Sequence, residues 1–99
     1  MKTQNDLVLI AYGMSDNFLS SLVFQVVHQV KRKLSKTLKI SKIKIINETE
    51  AYQKWGFIEL PVTVLYCENK PLLQMAGFQP ANSIITQIQN CLKKEILDL

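Results

Sequence analysis

Apolar residues fall into two patterns along this chain: short unbroken runs, and repeats at three- and four-residue spacing. Leu7-Val8-Leu9-Ile10-Ala11-Tyr12 is an unbroken run closed by Gly13. Its length and its closing glycine predict a strand buried on both faces. Ser15, Asp16 and Asn17 follow, with short side-chain oxygens that accept hydrogen bonds from the free amides of a helix start. Phe18, Leu19, Leu22, Val23, Val26, Val27, Val30 and Leu34 then recur at helical spacing. They predict a helix from about Ser15 to Ser35 with a broad apolar face.

Ile40 to Asn47 predicts a second strand, in which Ile43 and Ile45 alternate with Lys42 and Lys44, one face buried and one wet. Thr49 to Trp55 predicts a short helical turn ended by Gly56. Val62 to Tyr66 is β-branched and apolar, a third strand. Cys67-Glu68-Asn69-Lys70 is a polar turn, and Pro71 to Gly77 a fourth strand, with Pro71 tolerable at its start. Gln79 to Ser83 opens a last helix that carries Ile84, Ile85, Ile88, Cys91, Leu92 and Ile96 on one face. The order is β-α-β-α-β-β-α. A strand, a crossover helix and a strand imply a parallel pair with a right-handed connection. The short turn makes the last two strands antiparallel, so an α/β fold with a mixed four-stranded sheet flanked by helices is expected.

Composition narrows the class. The chain has 99 residues, 47% hydrophobic and 20% charged, as in an ordinary globular domain, and residues 1–99 read as one unit. No apolar stretch approaches the roughly 20 residues of a membrane span. Asp6 precedes the first apolar run where a signal peptide carries positive charge, so the chain reads as cytoplasmic. The two cysteines, Cys67 and Cys91, are too far apart in sequence for a zinc set, and too few for a secreted disulfide framework. The single histidine, His28, has no ligand partners at metal spacing; neither a metal nor a cofactor is expected. The net charge is +4. Lys31, Arg32, Lys33, Lys36, Lys39, Lys42 and Lys44 fall in a stretch that contains no acid. They read either as a solvated helix end and strand edge or as a basic face for an acidic partner. No aromatic residues interleave with them, which counts against nucleic acid.

Element order and motifs together resemble the thioredoxin-like superfamily. Trp55-Gly56-Phe57-Ile58-Glu59-Leu60-Pro61-Val62-Thr63-Val64-Leu65-Tyr66 is similar to the family's stretch in which an aromatic residue and Gly lead to a cis-proline and an apolar strand. The turn at Glu68-Asn69-Lys70, the glycine at Gly77 and the closing helix fall at family spacing, from Leu7 to about Leu97. The resemblance implies a minimal thioredoxin fold of glutaredoxin size, with Pro61 at the cis-proline position. It also exposes a departure. Where the family carries C-x-x-C at the first helix, this chain reads Ser15-Asp16-Asn17-Phe18, and no cysteine precedes Cys67. Leu9 stands where thioredoxins carry a buried carboxylate. Disulfide exchange needs a thiolate of low pKa and a second thiol to resolve the mixed disulfide. A serine hydroxyl and a phenylalanine supply neither, so no catalytic residue is assigned.

The remaining candidates are binding residues. Leu60 and Pro61 suit strand addition by an extended partner, as in relatives. Met14, Ser15, Asp16, Asn17 and Phe18 form a helix start in which Asp16 opposes a bound anion, and Phe18 with Met14 and Trp55 would make an apolar contact patch. The leading expectation is therefore a redox-inactive protein-binding module, an adaptor or chaperone-like factor, whose partner is another protein of acidic character or a second copy in a homodimer. The alternative is a thiol-related enzyme that binds glutathione or a peptide beside Pro61, with Ser15 or Tyr12 donating a hydrogen bond, or that uses Cys67 as a single thiol. A weaker alternative is nucleic-acid binding by the basic cluster.

Overall fold

A computed structural model describes residues 7–38, 40–57 and 59–97. Lys39 of the basic cluster and Ile58 lie outside the described residues, as do the side chains of Ile40 and Ile96. The chain runs β1 (Leu7–Gly13), α1 (Phe18–Lys33), β2 (Ile40–Ile45), α2 (Glu48–Glu50, continued by a π-helical turn Ala51–Trp55), β3 (Val62–Cys67), β4 (Lys70–Ala76) and α3 (Ala81–Leu97). The four strands form one sheet in the order β2-β1-β3-β4. β1 pairs parallel with β2 and antiparallel with β3, and β3 pairs antiparallel with β4. This is the expected topology.

Local chemistry sets the boundaries. Asn17 caps α1, its Oδ1 accepting from the Ser20 amide at 2.8 Å. The buried Ser20 hydroxyl in turn accepts from the Met14 amide at 3.0 Å, which ties the loop to the helix. Gly13 is required by close approach: a Cβ there would meet Ser20 and the Phe24 ring at 2.7–2.8 Å. Asn47 caps α2 in the same manner as Asn17, at 2.7 Å. Gly56 ends that segment in the left-handed region, and its amide donates to the Tyr52 carbonyl at 3.0 Å. The hairpin between β3 and β4 turns on Glu68 and Asn69, both at positive φ, the conformation that a two-residue turn needs to match strand twist.

Two cores result, one on each side of the sheet. On one side α1 and α3 pack Val23, Val26, Val27, Val30, Ile84 and Ile88 over Leu7, Leu9, Ala11 and Leu65. On the other side Tyr12, Val62 and Val64 pack under Ala51 and Phe57, with Trp55 at the rim. The second cover is short, and the structure corrects the sequence reading at four points. Val8 and Ile10 were expected to be fully buried but are half-buried, because α2 reaches only part of their face. Ile43 and Ile45 were expected inside but are 39% and 53% exposed, since β2 is an edge strand that α1 only partly overhangs. Phe18 and Leu19 were placed on the apolar face of α1; both are exposed, because they belong to its first turn, beyond the core. Cys91, expected in the core, is half-buried, its Sγ donating to the Leu72 carbonyl at 3.9 Å.

Candidate functional site

The sheet register brings the sequence candidates to one end of the molecule. Tyr12 pairs with Val62, and Val62 with Ala76. Gly13 pairs with Ile45. The C-terminal ends of β1, β2 and β4 therefore meet the N-terminal end of β3. The Met14–Phe18 loop, the Leu60–Pro61 segment and the Gly77–Phe78 segment all leave the sheet at this end. The Leu60–Pro61 peptide is cis. Pro61 is buried, and its carbonyl accepts from the Gly77 amide at 2.8 Å, which fixes the two segments to each other.

Two apolar side chains at this end are open. Phe18 is 76% exposed and Phe78 43%. Met14, Asn17 and Leu60 are half-buried, and Ser15 and Asp16 are exposed, with Asp16 at φ 58°. Phe78 was not singled out from sequence; its signal was an aromatic residue directly after Gly77, at the end of β4. Trp55 does not join this patch. It packs on the opposite face from α1, its ring 5.1 Å from Tyr12 and stacked on Phe57 at 6.1 Å.

Neither thiol reaches this end. Cys67 pairs with Leu7, at the far end of β1, about 20 Å from Gly13 at the usual strand rise of roughly 3.4 Å per residue. It is also buried, 4% exposed. Among the described residues, no three His, Cys, Asp or Glu side chains group as metal ligands. No described helix is long and apolar enough to cross a membrane.

The aromatic face holds a second feature that the sequence reading missed. The Tyr12 and Tyr66 hydroxyls share a hydrogen bond of 2.7 Å. Burial, reinforced by that bond and by the neighbouring phenol, raises the Tyr12 pKa well above its ordinary value. The Tyr12 hydroxyl is thus engaged by Tyr66, on the face of the sheet that carries Phe57 and Trp55. An open cleft of about 250 Å³ lies beside the pair, between Val8, Ile10, Lys42, Trp55 and Asn69. Lys44 Nζ sits 5.3 Å from the Trp55 ring centroid, a cation–π contact. Lys42 and Lys44 thus occupy the aromatic face, whereas Lys31, Arg32 and Lys33 end α1 on the other side. The basic stretch, continuous in sequence, is divided by the sheet.

At the sequence level neither a protein-family model nor a curated protein matches the chain. Solved structures do. The chain is similar to a chloroplastic thioredoxin z, described for a type-specific target recognition, with TM-score 0.72 and 19% identity over 90% of this chain and 80% of that one. It is equally similar to a thioredoxin-2 of the malaria parasite, a component of its protein secretion machinery, with TM-score 0.72 and 14% identity over 87% of this chain and 84% of that one. Identities this low speak for architecture alone. The mixed sheet order, the two helices on one side and these matches give one conclusion: the chain has a thioredoxin-like fold.

Proposed function

We propose that this chain is a protein-binding module on a thioredoxin scaffold, one that holds extended segments of other proteins without exchanging disulfides. The observation that carries the reading is the composition of the strand-end surface. At the helix start, Ser15 and Phe18 stand at the two ends of a Ser-Asp-Asn-Phe stretch, with no thiol in it. Around it lie exposed Phe18 and Phe78, half-buried Met14, and the backbone before Pro61. Exposed aromatic side chains grouped at one end of a small domain favour partner contact. Leu60 offers its backbone to an extended partner, a mode in which main-chain bonds give affinity and side-chain pockets give selectivity. The module works as an adaptor or chaperone-like factor in the cytoplasm, without a cofactor.

The single-thiol alternative gains no support, since Cys67 is buried at the other end of the sheet. A photo-activatable cross-linker at position 18, compared with one at exposed position 28 on the same helix, tests the proposal in native cell extract. Discrete protein adducts from position 18, absent from position 28, are the expected result. Equal, diffuse labelling from both positions would contradict it.

A further inference from the structure

We infer that the open edge of β2 is a second docking surface, which accepts an extended partner segment of alternating acidic and apolar residues as a fifth strand. The backbone is set up for this. The Ile46 amide donates to the Gly13 carbonyl at 2.9 Å, so by strand alternation the amides of Lys44 and Lys42 point into the sheet. Those of Ser41, Ile43 and Ile45 then point outward, along an edge that no other strand of the described residues covers. The side chains sort by face. Ile43 and Ile45 are exposed on the helix side. Lys42 and Lys44 stand on the aromatic side.

Charge selects the occupant. Among the described residues the only ion pair joins Lys54 to Glu50, at 3.4 Å. Lys42 and Lys44 therefore have no carboxylate partner among the described residues, and the sequence from Lys31 to Lys44 offers none. A second copy paired at this edge would set lysine near lysine, an unfavourable cross-strand arrangement. Lysines on an edge strand discourage such self-pairing, and here they leave the edge open to a strand of opposite charge. Glutamate or aspartate on the aromatic side would face Lys42 and Lys44, while valine or isoleucine on the helix side would cover Ile43 and Ile45. The inference rests on the reading of the chain as a protein-binding module but uses a different surface.

The probe is a fluorescein-labelled peptide of about eight residues, alternating glutamate and valine. Fluorescence anisotropy should show saturable binding, and the amides of Ser41, Ile43 and Ile45 should gain roughly tenfold protection from hydrogen exchange. N-methylation of alternate peptide amides should weaken binding by roughly tenfold or more, because it removes strand pairing and leaves the charge in place. In the protein, Ile43→Pro deletes an outward donor and no bond to β1, so it should weaken binding while circular dichroism stays unchanged. Equal binding of the methylated peptide, or of a peptide with its glutamates in one block, would overturn the proposal in favour of plain charge attraction. Sedimentation of the free protein as a dimer that Ile43→Pro dissolves would overturn it in favour of a second copy. Single-stranded oligonucleotide bound through Lys42 and Lys44, with the peptide unbound, would overturn it in favour of nucleic acid. The peptide assay reads the β2 edge and the position-18 cross-link reads the strand-end surface, so either can fail while the other stands.

Discussion

Single residues carry more of this fold than their size suggests. Gly13 lets α1 pass close over the end of β1, with Ser20 and Phe24 where a Cβ would lie. Phe24 can swing aside but Ser20 is held by its bond to Met14, so Gly13→Ala should cost about 1–3 kcal/mol in urea unfolding. Tyr12 makes a prediction in pH. Its pKa is raised in the folded state, so above tyrosine's ordinary value the unfolded chain loses a proton that the folded chain keeps. The unfolded state then binds fewer protons, and stability falls as pH rises. Thermal melts should therefore show full stability below about pH 10 and a decline above it, and Tyr12→Phe should flatten that decline. Burial is the main cause, and the bond to Tyr66 that reinforces it spans 54 residues of sequence. Nothing local in either strand announced it, because the two rings meet only once β1 and β3 are paired.

Elements were largely legible because their patterns are local. The unbroken run at Leu7, the helical spacing from Leu22 to Leu34 and the β-branched Val62 to Tyr66 each formed what they implied. The parallel–antiparallel arrangement followed from connection lengths alone. Position within the sheet was not legible. Ile43 and Leu65 have the same apolar character, yet one lies on an edge strand and the other in a central strand between two neighbours. Consequently Ile43 is exposed and Leu65 fully buried. The same distinction separates residues along α1 and α3. Ile88→Ala should cost about 2–5 kcal/mol, whereas Phe18→Ala should stay within about 0.5 kcal/mol, both read from chemical denaturation. The β3–β4 turn holds Glu68 in the left-handed region, where asparagine is more at ease. Glu68→Asn should thus raise the melting temperature by a few degrees, for a gain of up to about 1 kcal/mol.

For the whole molecule, we propose that scaffold and chemistry come apart. The sheet order and the helices packed on it are those of a thioredoxin-like fold. The sulfur chemistry of that fold needs a thiolate at the first helix start, and there the chain presents Ser15-Asp16-Asn17-Phe18. The candidate site was readable in sequence as far as Met14–Phe18 and Leu60–Pro61. Phe78 and the β2 edge emerged only when strand register joined distant segments. The surface offers exposed Phe18 and Phe78 at one end of the sheet and, along the β2 edge, outward amides flanked by Lys42 and Lys44, on which the proposed partner binding rests. The most direct test is thiol-driven insulin reduction by the purified protein beside its Ser15→Cys/Phe18→Cys variant. Background turnover by the native chain and measurable turnover by the variant are predicted. Reduction of insulin by the native chain itself would contradict the account.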